Sequence, residues 1–285
     1  MRRYRVLVVS DIHVGSIFGL LPPGFVRSDN ATVSLNPGQE HLWGCWDDLR
    51  QRVRDVDVVV VNGDVIDGPQ PAQRGTELSL PILGDQAEAA IETLRLLKKS
   101  TGTAPWYFIQ GTEYHDCRAG RSAEEVARAL DATPYTGLGT GRYSREVLDL
   151  DIDGVVINFA HGISVATGFY RATPADREGI WSALAGKDGK MPKADAVVRS
   201  HAHSFVHVEH ASKHIVISPC WQLQTRYQRK NSVYRMIPDI GAMVLEVTPD
   251  AKRQGFDPVH VQKILYPLPA VKPTKLELPS GGSRM

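Results

Sequence analysis

The chain has 285 residues, 42% hydrophobic and 23% charged, a globular balance that excludes a disordered polyelectrolyte. Its 33 Lys+Arg and 32 Asp+Glu leave a net charge of +1, which excludes holding nucleic acid by bulk positive charge. No stretch approaches the roughly 18 apolar residues of a membrane span, the short run Val6–Val9 is no signal-peptide core, and three scattered cysteines (Cys45, Cys117, Cys220) fit a reducing cytosol.

Val6–Val9 is an uninterrupted apolar run and reads as a buried strand. Leu42, Trp46, Leu49 and Val53 then recur at helical spacing, so Gln39–Val56 reads as a helix announced by Pro37-Gly38. Val56–Val61 is a second strand, Asp85–Lys99 a second helix, Trp106–Ile109 a third strand and Ala123–Leu130 a third helix. This alternation predicts a largely parallel sheet with covering helices. Beyond it, Glu146–Asp151 and Val155–Phe159 flank the hairpin signal Asp153-Gly154. Asp176–Leu184 is the one helical stretch of this half. Ala194–Val198, Ser204–His210, His214–Ser218, Ile240–Val247 and Pro258–Leu265 are further strands, with a turn at Ala211-Ser212-Lys213. No linker divides the chain, so residues 1–266 read as one domain with two packed sheets, and 267–285 as a loosely ordered tail. Two long segments without periodicity, Val14–Pro37 and Gly68–Gly84, each follow a strand that ends in an acidic residue. Loops of that length in compact domains are functional or disordered, and ligands of open α/β sheets gather at the carboxyl ends of strands.

The strand ends carry ligand-type residues. The first strand runs into Asp11-Ile12-His13, whose two side chains would share one side of an extended chain and could hold one ion. The second runs into Gly63-Asp64, with Asp64 left at the tip and two oxygens free to bridge two ions. Gly111-Thr112-Glu113-Tyr114-His115-Asp116 follows the third strand. His161 and Ser200-His201-Ala202-His203 follow two later ones. Each cluster alone is weak; five in this order are not.

Taken together, these clusters resemble the calcineurin-like metallophosphoesterases, whose pattern is Asp-x-His, Gly-Asp, Gly-Asn-His-Asp/Glu, His and Gly-His-x-His. The resemblance covers roughly residues 5–220. It implies a four-layer α/β/β/α sandwich of two mixed sheets flanked by helices. It also implies that Asp11, His13 and His203 hold one metal, that Asp64 bridges to a second bound by His161 and His201, and that His115 is the catalytic histidine. The third motif departs from the pattern, for the family Asn is missing and two residues are added. Glu113 is the favoured replacement because a carboxylate suits a hard dication, with Thr112 as the alternative. Asp67 and Asp116 are candidates for orienting ligand histidines. The Gly-Thr-Glu-x-His variant, with Arg199-Ser200-His-x-His and Pro219-Cys220-Trp221-Gln222-Leu223, resembles the phage- or prophage-encoded branch of the family.

Such a ligand set implies metal-dependent hydrolysis of phosphoesters, diesters ahead of monoesters, by a water activated between two divalent ions. Mixed Asp and His ligands suit Mn²⁺ first, then Fe, Ni²⁺ or Zn²⁺. The ions would bring positive charge to a nearly neutral chain, so the expected partner is an anionic phosphoester such as a nucleotide or nucleic acid, not a membrane. Arg226, Arg229, Lys230 and Arg235, around Tyr227 and Tyr234, read as a solvated face. The sharper alternative, with Arg226 and Arg229 binding substrate, makes the chain a nuclease. The other alternative is a non-catalytic metal-binding scaffold of the same fold, which the altered third motif keeps in play. His207, His210 and His214 read as strand-face residues and Cys117 as an inert thiol.

Overall fold

The computed structural model describes residues 2–275 apart from 117–119, 136–140, 165–169, 212, 233, 235 and 272. The N-terminal half supplies β1 (Tyr4–Val9), α1 (Pro37–Arg52), β2 (Val58–Asn62), α2 (Leu83–Thr101), β3 (Trp106–Ile109) and α3 (Arg121–Ala129). Then come β4 (Ser144–Arg145), β5 (Val147–Ile152), β6 (Val155–Ala160), α4 (Thr173–Lys187), β7 (Ala196–Arg199), β8 (Val206–His210) and β9 (Lys213–Ile217). The chain ends with α5 (Arg226–Ser232), β10 (Ile240–Val247), α6 (Pro249–Arg253) and β11 (Val259–Tyr266).

Two mixed sheets result, one in the order β11-β10-β1-β2-β3-β4 and one in the order β5-β6-β7-β9-β8. Alternation along each strand sorts its side chains between two layers. Leu7 and Val9 of β1 pack under α1 and α2 with Leu42, Trp46, Leu49 and Leu94. Val6 and Val8 turn to the second sheet, against Ile157, Phe159 and Val198. On that sheet's outer face Val197 and Ile215 pack with Ala175 of α4. The layers therefore run helices, sheet, sheet, helix, as the motif resemblance implies.

Three local devices matter for the site. Asn36 caps α1: its Oδ1 accepts from the backbone N–H groups of Gly38 (2.9 Å) and Gln39 (3.0 Å). Asn36 and Gln39 also donate to the carbonyls of Ile17 (2.8 Å) and Ser16 (3.1 Å), which moors the long segment after β1 to the helix. That segment and the one after β2 are joined by bridges Val14↔Ile66 and Ser16↔Leu78. Finally, Asp153 (φ 51°) and Gly154 (φ 93°) make the left-handed hairpin turn expected between β5 and β6.

Some expectations change. β10 and β11 complete the first sheet, β10 antiparallel to β1 and β11 antiparallel to β10, so that sheet is mixed. Periodicity marks strands but does not order them in a sheet. The two-residue β4, α5 over the basic run and the five-residue α6 are too short to leave a period. The described part of 267–275 carries no helix or strand, and Ser212 of the expected turn lies outside the described residues.

Parallel pairing sets the site. β1, β2 and β3 run parallel, as do β6, β7 and β9, so the carboxyl ends of both sheets open at one edge of the sandwich. Phe159 is fully buried between the sheets two residues before His161. Phe159→Ala is therefore expected to lower stability by about 3–5 kcal/mol, read as a shift of the urea midpoint at unchanged slope.

Candidate metal centre

β1 stops at Val9, and the backbone then turns left-handed at Asp11 (φ 51°) and His13 (φ 49°). The two side chains thus converge through turn geometry, which corrects the expectation of an extended Asp11-Ile12-His13. Asp64 (φ 48°), His201 (φ 69°) and His203 (φ 54°) share this conformation. Non-glycine residues held there cost on the order of 1–3 kcal/mol each and persist only where surroundings over-determine them. Here the turns brace one another: Asp11 donates its N–H to Gly63 O (3.0 Å), and Ile12 (3.0 Å) and His13 (3.1 Å) donate theirs to Asp64 O. Gly63 and Gly111 are required by close approach. A Cβ on Gly63 would lie 2.2 Å from His161 Nδ1, and one on Gly111 would lie 2.1 Å from Asp64 Oδ1.

These turns bring together two groups of ligand atoms, Asp11/His13/His203 and Asp64/His161/His201, each within 4.8 Å of one another. Asp11 Oδ1 is buried and has no hydrogen-bond partner among the described residues. Three imidazole Nε2 atoms surround it, from His203 (3.3 Å), His161 (3.9 Å) and His13 (4.0 Å). Asp64 Oδ2 lies 3.1 Å from His161 Nε2 and 4.0 Å from His13 Nε2, so this carboxylate stands between the two groups. His13 and His203 face each other Nε2 to Nε2 at 3.2 Å. Ligand atoms around one ion with bonds near ~2.0–2.2 Å have such spacings.

The outer nitrogens fix the tautomers. His13 Nδ1 bonds Asp67 Oδ1 (3.0 Å) and His161 Nδ1 bonds the Asn62 carbonyl (2.7 Å), so each ring turns Nε2 inward as a ligand atom. His161 Nε2 has no hydrogen-bond partner among the described residues. An orphaned carboxylate oxygen and inward lone pairs in a mixed O/N set fit divalent transition metals.

Burial would raise the Asp11 and Asp64 carboxyls, but the imidazoles of His161 and, for Asp11, His203 outweigh it and hold both below the usual range. Burial would lower His161, yet Asp64 and Asp11 push it up to about 10. His203 is also raised, against its burial, by Cys220 and Asp11. His13 and His201 go the other way, lowered chiefly by burial.

The other expected residues fall as follows. Asp67 orients His13 and is held by Gln222 Nε2 (3.0 Å) and by Gln70. Asp116 is bonded to the Gly111 N–H, and burial followed by Asp64 raises its pKa to about 6. His115 bonds the Asp67 carbonyl through Nδ1 (2.6 Å) and stands edge-on to His13, 4.5 Å between centroids. Thr112 donates to Asp64 Oδ1 from its N–H (2.7 Å) and hydroxyl (3.2 Å). Glu113 is exposed, joins neither ligand group, and lines a shallow hollow beside His161. Arg226 faces Glu77 (3.8 Å), and Arg229 lies over the Phe18 ring (5.9 Å). It is Tyr227, Gln228 and Asn231 of α5 that line the cleft of about 560 Å³ beside the site. Cys117 and Arg235 lie outside the described residues.

Sequence reading missed a buried chain under the ligands: Asn62 Nδ2, Ser200 Oγ (2.5 Å), Ser218 Oγ (2.8 Å), Ser10 Oγ (2.6 Å) and Asp11 Oδ2 (2.7 Å). With Asn62 as first donor, each hydroxyl accepts once and donates once, and the chain ends on the carboxylate. Ser10 and Ser200 adjoin ligand motifs in sequence and could have been suspected. Ser218 carries no such signal.

Fold and site thus define a metallophosphoesterase-like sandwich with a His/Asp centre. The profile of the calcineurin-like phosphoesterases matches residues 4–214, and the chain belongs to that family. No curated protein matches its sequence. Similar solved structures include vacuolar protein sorting 29 from Cryptosporidium parvum, at 12% identity and TM-score 0.44, covering 93% of this chain and 98% of that one. Another, titled a novel archaeal phosphodiesterase, shows 9% identity and TM-score 0.42, covering 92% and 99%. Wild-type Vps29 with Zn²⁺ from Entamoeba histolytica shows 14% and 0.40, covering 92% and 98%. No described helix is long and apolar enough to cross a membrane.

Because Asp64 and Asp11 push the His161 pKa up to about 10, a metal bound through its Nε2 would have to displace a proton. Calorimetric titration of metal-free protein at pH 7 in two buffers of different ionisation enthalpy should show about one proton or more released per chain. Affinity should rise with pH; buffer-independent heats would contradict the assignment.

Proposed function

We propose that the chain is a two-metal phosphoesterase, with diesters favoured over monoesters and Mn²⁺ the favoured ion. The observation that carries this reading is the pair of ligand groups, Asp11/His13/His203 and Asp64/His161/His201, meeting at Asp64 in a cleft. Divalent ions there supply Lewis-acid charge to the phosphoryl oxygens and a nucleophile at neutral pH. The chain's own residues do the rest. Asp64 joins the two groups, and Thr112 holds its outer oxygen in place. His115, with Nδ1 anchored on the Asp67 carbonyl, presents its other nitrogen as proton donor to the leaving oxygen. Glu113 would help to hold the second ion, in place of the family Asn.

No Lys or Arg lines the cleft among the described residues, and the aromatic and amide side chains there suit a small phosphoester better than a nucleic-acid strand. Nuclease activity through Arg226 and Arg229 is the less supported reading.

Hydrolysis of bis-p-nitrophenyl phosphate with added Mn²⁺ tests the proposal. His115→Gln should lower kcat by about 100-fold or more with metal content unchanged. Asp64→Asn should lose both metal and turnover. Glu113→Gln should weaken the second ion about tenfold or more if the carboxylate is a ligand. Two ions bound to a folded chain that hydrolyses no mono- or diester with Mn²⁺, Zn²⁺ or Ni²⁺ would favour the scaffold instead.

A further inference from the structure

The edge of the sandwich farthest along the second sheet carries another set of ligand-type side chains. β8 and β9 pair antiparallel with Glu209 opposite His214, and His207 lies two residues before Glu209 on the same face. One ligand atom from each of His207, Glu209 and His214 lies within 4.8 Å of the others. His210 is on the opposite face and bonds Asp176 of α4 (3.0 Å), so it takes no part.

Tautomers decide what the set can do. His214 is buried, and its Nε2 lies 2.7 Å from Asp257 Oδ2, in the segment that enters β11 of the other sheet. That bond places the proton on Nε2 and leaves Nδ1 as a lone pair aimed at His207 Nε2, 2.9 Å away. An imidazole held from behind by a carboxylate and facing further ligand atoms is oriented as metal-binding histidines are. The two rings are nearly parallel, with 21° between planes and centroids 5.2 Å apart. Burial, then His214, lowers the His207 pKa, which favours the neutral ring; Glu209, Asp257 and His260 are the other titratable groups acting on it. Two imidazoles and one carboxylate on an exposed rim favour a dication with affinity for nitrogen over Mg²⁺ or Ca²⁺.

We propose that His207, Glu209 and His214 form a separate zinc-type site, with Asp257 as a positioning residue and solvent completing the coordination. Zn–N bonds of ~2.0–2.1 Å in a tetrahedral site put the two nitrogens about 3.3 Å apart, so the pair opens by only a few tenths of an ångström. His207 then carries its proton on Nδ1. The bound ion would clip the outer hairpin of one sheet, through His214 and Asp257, to the edge strand of the other.

The test counts zinc per full-length chain by elemental analysis after dialysis against Zn²⁺. His207→Gln should bind one equivalent fewer than the parent chain, and the Asp64→Ala chain should retain that equivalent. Zinc should also raise the melting temperature of Asp64→Ala by more than that of Asp64→Ala/His207→Gln. Equal stoichiometry in the parent and His207→Gln would overturn the proposal. Should His207→Gln fail to fold, Glu209→Gln, altered at an exposed position, is read instead; one equivalent should bind about tenfold or more weakly, and unchanged affinity overturns the site.

Discussion

Two carboxylates, Asp11 and Asp64, are buried where the sheets meet, and no Lys or Arg pairs with either among the described residues. Each such charge costs several kcal/mol to desolvate unless it is compensated. Much of the surrounding structure answers that cost. Hydrogen bonds from Ser10 and from Thr112 take one oxygen of each carboxylate, and imidazoles crowd the other. In the metal-free chain the protons on His161 and His203 supply the balancing charge. In the family's chemistry cations do so, and the exchange of protons for cations couples metal binding to pH.

The same demand explains the backbone. Five ligand-type residues sit at positive φ, a conformation that aims side chains inward from the ends of parallel strands but is unfavourable for residues with a Cβ. Strain of this kind survives because the turns after β1 and β2 share hydrogen bonds and because Gly63 and Gly111 leave room for His161 and Asp64. The serine chain adds rigidity from below, tying the end of β1 to segments after β7 and β9. Ligand geometry is thus a property of both sheets at once.

This cooperation sets how much was legible in the sequence. The apolar runs that became β1, β2, β3 and β10 and the spacing behind α1 and α2 are local signals, and they placed those elements within a few residues. The ligand motifs were legible because they adjoin strand ends. What was not legible depends on contacts distant in sequence: the return of β10 and β11 to the first sheet, and the pairing of Ser10 with Ser218. The bonding of Asp67 to Gln222 belongs with them. Asp11 and His13 illustrate the limit, since their residue types were informative while the extended conformation assigned to them was wrong. Sequence spacing does not show a left-handed turn that Gly63 and Asp64 impose from elsewhere.

The two ligand groups are also unequal, which bears on the departure in the third motif. Asp11 and His13 are each backed by a buried side chain, Ser10 and Asp67. On the Asp64 side, the Thr112 hydroxyl already donates to the carboxylate that a second ion would use. A hydroxyl spent in this way holds Asp64 in position but adds no negative charge for a cation. The exposed Glu113 carboxylate is the nearby group in the motif that could add it, at the cost of ordering a long side chain. On the proposed reading, the first site is preorganised and the second is completed only when its ion arrives. Activity would then follow the free concentration of that second ion, while the fold and the first site would stay intact without it.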